Sequence, residues 1–243
     1  MFEQFATRDG AALRAAYEGL YAAGWLGPRR GLLRWLLGLL PARPGDLLLD
    51  VAAGDGQLAA EARRRGLRYW GVDLAAAAAR RSAHGRVLVG DGQALPFPDG
   101  RFDLATCVGS LEHFADPALG VRELARVLRP GGAACLLVPN AFGLTWSVLR
   151  AWRTGDLPDD DGQPVQRFGT LGAWRRLVEA GGLAVERATG FERAWPVERA
   201  EWAAYAAEPR ELALAALAPA LPAPMRRCLV FVCRRPARAP DQV

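Results

Sequence analysis

Three carboxylates in this chain stand where a carboxylate would meet a ligand. Asp50 ends the apolar run "LLLDV", Asp73 ends "RYWGVD" and Asp91 ends "RVLVGD". Each run reads as a buried strand, and each acid sits where a strand gives way to a turn. The first turn is the most informative. In "LLLDVAAGDGQLA", Gly54 and Gly56 let the backbone bend sharply and approach a ligand closely. A helix starting near Gly56 would aim free N–H groups at that ligand. Dinucleotide sites use such a turn for pyrophosphate, with the spacing G-x-G-x-x-G. Here Gly54, Gly56 and Ala59 fill that spacing, but Asp50 and Asp55 would crowd a doubly charged pyrophosphate. Like charges at roughly 4 Å cost on the order of a few kcal/mol near a protein surface. The carboxylates therefore suit a ligand that carries positive charge.

S-adenosylmethionine is such a ligand, with an ammonium, a sulfonium, a ribose and an adenine. Asp50 could attract the ammonium, directly or through water, and the carbonyl of Gly109 could receive it too. Asp73 could accept both ribose hydroxyls. Asp91 could take a hydrogen bond from the adenine amino group. In the same turn as Gly92, the backbone N–H of Gln93 or Ala94 would face the ring, and Leu74 would pack on it.

The elements that must position these residues are legible as periodicity. Residues 1–45 read as helical and end at a proline and glycine pair. From residue 46 onward, short apolar runs alternate with helical stretches up to "AACLLVPN". Near-continuous apolar strands between helices imply a parallel sheet covered on both faces. After Asn140 the pattern breaks. Residues 141–168 carry two tryptophans and the acidic patch "GDLPDDDGQP", and read as an insertion over the active edge of the sheet. "TLGAWRRLVEAGG" reads as a helix, "LAVERATGFE" as a strand, residues 192–225 as a second insertion, helical over 194–225, and "RCLVFVCRRP" as a final strand. The expected organisation is a cap over 1–45 and a Rossmann-like domain over 46–243.

Five segments in this order resemble class I S-adenosylmethionine-dependent methyltransferases of the broad small-molecule "type 11" kind. They are "LDVAAGDG", "GVDL", "GDGQALPFPDGRFDL", "SLEHFADP" and "ELARVLRPGG". The resemblance covers about residues 45–140. It implies a Rossmann-like α/β fold with seven strands in the order 3-2-1-4-5-7-6, strand 7 antiparallel. It also implies that the cofactor lies over the carboxyl ends of the first strands. Ala52 departs from the family, which more often has glycine there, and adds a methyl beneath the methionine portion. The resemblance places Glu112 and His113 beside the cofactor. His113 could act as a general base, with Glu112 next to it, because an imidazole titrates near neutrality. The pair also reads as a structural turn, since many methyl transfers rely on proximity and alignment.

Bulk properties agree with an enzyme of this kind. The chain has 243 residues, 51% of them hydrophobic, which supports a sizeable core. All 31 basic residues are arginine, with no lysine or isoleucine, which fits a GC-rich bacterial genome. The net charge is +5, but the arginines are scattered in pairs, as expected of a solvated surface. Four cysteines without CxxC spacing and two histidines argue against a metal site. No signal segment and no spanning run are apparent, so a cytoplasmic protein without stable membrane insertion is expected.

The expected activity is methyl transfer from S-adenosylmethionine to an O, N or C atom of a small molecule, leaving S-adenosylhomocysteine. Nucleic acid is not an expected partner, because neither a flipped-base motif nor an RNA-binding module is evident. A nicotinamide oxidoreductase is disfavoured by Asp50, and a non-catalytic binding subunit remains as an alternative. Trp146, Trp152, Trp174, Trp195 and Trp202 could line an apolar acceptor pocket or pack a lid. Arg29, Arg30 and Arg167 would fit an anionic acceptor. The leucine-rich stretch "RRGLLRWLLGLLP" could cap the pocket or lie on a membrane surface. The sequence does not determine oligomeric state.

Overall fold

The computed structural model describes residues 1–7, 9–22, 30–82, 86–156, 163–193, 196 and 199–237. In chain order the elements begin with β1 (Phe2–Phe5), α1 (Gly10–Ala22), α2 (Arg30–Leu39), β2 (Leu47–Val51), α3 (Leu58–Arg64) and β3 (Arg68–Asp73). Next come α4 (Ala76–Arg81), β4 (Val87–Val89), β5 (Phe102–Val108), α5 (Pro117–Val127) and β6 (Leu128–Pro139). After a π-helical turn (Leu144–Val148) follow α6 (Leu149–Thr154), β7 (Val165–Phe168), α7 (Leu171–Ala180) and β8 (Ala184–Phe191). The last are α8 (Arg199–Ala207), α9 (Pro209–Leu217) and β9 (Cys228–Arg234).

Seven of the strands make one sheet, ordered β4-β3-β2-β5-β6-β9-β8. The pairs from β4 to β6 are parallel, and β9 runs antiparallel to both neighbours. Counted within this sheet alone, the order is 3-2-1-4-5-7-6. Two further strands, β1 and β7, pair antiparallel outside it. The helical reading of residues 1–45 thus needs correction at its start, where Phe2–Phe5 is a strand. A strand this short has no periodicity to read, and its partner lies over 150 residues away.

β2 is buried along its whole length because both faces of the sheet are covered. Leu47, Leu49 and Val51 pack on one face with Leu124, Phe102 and Trp174. Leu48 packs on the other face with Leu36, Leu37 and Leu58. α2 owes its place to that second layer. Its leucines at 32, 33, 36 and 37 fall on one helical stripe, and all four are buried. The idea that this stretch lies on a membrane is therefore overturned, since its apolar stripe is already spent on the core. Two helix starts follow their sequence signals. Asp116 accepts from the N–H of Leu119 (3.1 Å) ahead of Pro117, and Thr170 accepts from Ala173 (3.2 Å).

Candidate cofactor and acceptor site

A cleft opens at the carboxyl ends of β2, β3 and β5, with α1 laid across it. Its walls bring together Asp50, Ala52, Gly54, Asp73, Leu74, Asp91, Gly92, Gln93, Gly109 and His113. These residues come from five segments spread over more than sixty positions, and the parallel sheet aligns the segments because each strand ends on the same edge. Glu112 is buried beside the cleft next to His113, and Gly56 lies in the first turn but off the wall.

The first turn is built on two glycines with left-handed backbone, Gly54 (φ 57°) and Gly56 (φ 78°). Close approach is required at Gly54 as well, since a Cβ there would lie 2.9 Å from the Tyr21 hydroxyl. Ala52 also adopts φ 57°, the sole non-glycine residue with positive φ among the described residues. That conformation explains why a glycine would suit the position, because a Cβ strains left-handed backbone by roughly 1–2 kcal/mol. α3 starts at Leu58, two residues later than the sequence suggests.

Asp50 is held from two sides. Its carboxylate accepts from the Thr106 hydroxyl (2.7 Å) and the Tyr69 hydroxyl (3.1 Å). Burial pushes its pKa up to about 7, against the pull of those two hydrogen bonds. Thr106 and Tyr69 are second members of the site that sequence reasoning missed, because only strand register places them beside Asp50. Asp73 accepts from the N–H groups of Gly54 (2.8 Å) and Ala75 (2.9 Å), and burial raises its pKa despite them. It thereby ties the first turn to the end of β3.

The third turn uses its own donors. The N–H of Gln93 donates to the Asp91 carboxylate (2.8 Å) and that of Ala94 to the Asp91 carbonyl (3.0 Å). Both N–H groups that the sequence offers to an adenine ring are engaged here by an Asx-type turn at Asp91. Gly92 must be glycine for packing, because a Cβ there would meet the Phe114 ring at 2.5 Å.

His113 sits in a 3-10 turn after β5 and is buried against the cleft. Its Nδ1 contacts the carbonyl of Val165. A carbonyl only accepts, so Nδ1 carries a proton, and in the neutral tautomer the lone pair is at Nε2. Nε2 lies 3.7 Å from the Glu112 carboxylate.

Arg167 does not reach the cleft. It is buried, donating to the carbonyls of Glu112 (3.0 Å), Phe114 and Ala115 (3.0 Å), with Glu3 at 3.1 Å and Phe5 beneath its guanidinium. Its role as an anion acceptor is overturned, because its donors are consumed in holding the turn that carries His113. Arg30 begins α2 and is exposed, outside the cleft walls. The tryptophans are also placed elsewhere. Trp174 is fully buried in the core, Trp152 and Trp202 are exposed, and Trp146 lies against Arg227. Arg29, Trp195 and Asp159–Asp161 lie outside the described residues.

The missed wall is α1. Leu13, Tyr17, Leu20 and Tyr21 fall on one helical face and line the cleft. That spacing was readable, but its target was not. Glu18 docks the helix by accepting from the N–H groups of Ala76 (2.5 Å) and Ala77 (2.9 Å) at the start of α4.

Residues 49–136 match the family described as "Methyltransferase domain". The demethylmenaquinone methyltransferase of Corynebacterium kroppenstedtii is 41% identical over 95 residues, 38% of this chain and 42% of that protein. That of Deinococcus radiodurans is 34% identical over 160 residues, 61% of this chain and 66% of that protein. The first match covers less than half of that relative's length and the second about two thirds. Among solved structures, the 1,6-didemethyltoxoflavin-N1-methyltransferase of Burkholderia thailandensis superposes with a TM-score of 0.61. It is 20% identical and covers 93% of this chain and 88% of its own. At that identity the likeness speaks for the fold.

Proposed function

We propose that this chain, whose residues 49–136 match the family described as "Methyltransferase domain", is an enzyme that methylates a small molecule with S-adenosylmethionine. One observation carries the reading. Four carboxylates, Asp50, Asp55, Asp73 and Asp91, converge on a cleft whose described walls contain no arginine. A pyrophosphate would meet only repulsion there, whereas an ammonium and a sulfonium would be attracted.

The residues present fit the cofactor. Gly54 lines the cleft without a side chain, Asp73 is preset by two backbone donors, and Asp91 sits in a turn beside Leu74 and Gly92. When bound, S-adenosylmethionine supplies an electrophilic methyl group. Leu13, Leu20, Leu33, Val108 and Phe114 provide apolar walls that exclude water and favour an apolar acceptor. The relatives named for demethylmenaquinone support that class of acceptor. His113 Nε2 is the group able to take a proton from the acceptor, and alignment within about 3–3.5 Å supplies much of the rate.

Calorimetric titration with S-adenosylhomocysteine, beside NAD⁺, in wild type and Asp73→Ala tests the reading. Saturable binding of the former, weakened at least tenfold by Asp73→Ala, is expected. Silence from protein free of copurified cofactor, or NAD⁺ binding instead, would overturn it. Affinity without turnover on any acceptor pool would point to the non-catalytic alternative.

A further inference from the structure

A second concave surface lies away from the carboxylate cleft. It is a groove of about 740 Å³ between the segment Leu144–Thr154, α9 and the chain on either side of the β8–β9 pair. Five arginines line it, Arg150, Arg153, Arg193, Arg210 and Arg227, and among the described residues its lining includes no acid. The neighbouring acids whose side chains are described are Glu192, Glu208 and Asp156, while Asp159–Asp161 follow α6 in the sequence outside the described residues. Glu192 is turned inward, accepting from Thr145 and from the N–H of Arg227. Glu208 lies 3.7 Å from Arg210 and is half exposed, and Asp156 is exposed beyond α6.

Two apolar groups of the same lining stand outward, Trp152 at 80% exposure and Leu149 at 45%. Exposure of a tryptophan to that degree leaves a large apolar surface in water. Arginine, tryptophan and leucine together on one outward face are what an interfacial element presents to lipid headgroups and the first acyl carbons. Guanidinium groups also pair with phosphate oxygens two at a time.

The fold places this face usefully. Pro139, Cys228 and Phe191 are in register at one edge of the sheet, and the groove is built on the segments that leave that edge. It is the same carboxyl-end edge that carries the cleft. We propose that the arginine groove and the outward face of α6 dock this protein on the surface of an anionic lipid bilayer. Phosphate headgroups would occupy the groove, and Trp152 and Leu149 would enter the interface. The contact is peripheral, since no helix among the described residues is long and apolar enough to cross a membrane. The proposal does not depend on the methyl-transfer reading, and its test uses no turnover.

The full chain is to be co-sedimented with phosphatidylcholine vesicles, with or without about one third phosphatidylglycerol. Variants are Arg150→Gln/Arg153→Gln, Trp152→Ala and, as a charge-matched control, Arg122→Gln/Arg176→Gln on exposed sites elsewhere. Binding is expected to the anionic vesicles only, weakened tenfold or more by the groove double variant and severalfold by Trp152→Ala. The control should change it less than twofold. Equal losses in the two double variants would overturn the proposal in favour of attraction by net charge alone. No binding to anionic vesicles would overturn it outright. Binding of inorganic pyrophosphate in solution without vesicle binding would replace it with a soluble-anion site. Circular dichroism of each variant separates lost docking from lost folding.

Discussion

Ala52 and Asp50 show how single residues set the terms of the cleft. Ala52 holds left-handed backbone, where its Cβ is a liability. Ala52→Gly relieves that strain but gives the unfolded chain more freedom, so a net gain of up to about 1 kcal/mol in denaturant unfolding is expected. It also removes a methyl from the cleft wall, so S-adenosylhomocysteine should bind more tightly. A loss of stability in Ala52→Gly would show that the strain is absent. Asp50 makes a pH prediction. Its pKa is about 7 in the fold, against about 3.9 for an unfolded aspartate. The folded state therefore binds more protons between those values, and its stability must fall as pH rises from about 4 to about 7. Asp73, also raised by burial, adds a slope of the same sign. Unfolding at pH 5 and pH 8 should show that loss in wild type and a smaller one in Asp50→Asn, whose amide oxygen accepts from one of the two hydroxyls while its NH2 donates to the other. An unchanged slope in Asp50→Asn would remove Asp50 as its source.

At the scale of elements, the turn after β5 is positioned from outside the seven-stranded sheet. β1 and β7 pair with each other, and Arg167 on β7 feeds three hydrogen bonds into the carbonyls of the turn bearing His113. Arg167→Met strands those carbonyls in a buried place, at a cost of about 3 kcal/mol or more. Glu3→Gln breaks a partner that is one-third exposed and should cost under about 1 kcal/mol. Thermal unfolding of the two variants checks the contrast, and similar small losses would refute a clamp. None of this was legible in the sequence. "VQRF" and "FEQF" are too short for periodicity, and an arginine beside apolar residues reads as a surface or ligand group until its acceptors are known.

For the molecule as a whole, the cleft ties distant parts together. α1 covers it from the amino-terminal side, Glu18 docks that helix on α4, and the sheet supplies the opposite wall. A ligand that fills the cleft therefore stabilises the whole unit by mass action. S-adenosylhomocysteine at about a hundred times its Kd should add about 2.7 kcal/mol, and at about 2–4 °C per kcal/mol raise Tm by roughly 5–10 °C. A shift confined to a partial transition would mean that the cap unfolds separately. The same whole-molecule view accounts for the arginine groove, whose residues come from four separate segments and share no motif.

The sequence by itself determined the doubly covered parallel sheet, the glycine turn and the acids at the strand ends. These are local matters, set by residue type, apolar runs and turn chemistry within a few positions of one another. The tertiary structure alone decided what those residues face. Asp50 meets Thr106 and Tyr69 through strand register, the leucines of α2 go to the core and not to a membrane, and Arg167 goes to a buried turn and not to a ligand. Spacing along a chain states which residues can share a face, but the partner across that face is chosen by packing of segments far apart in sequence.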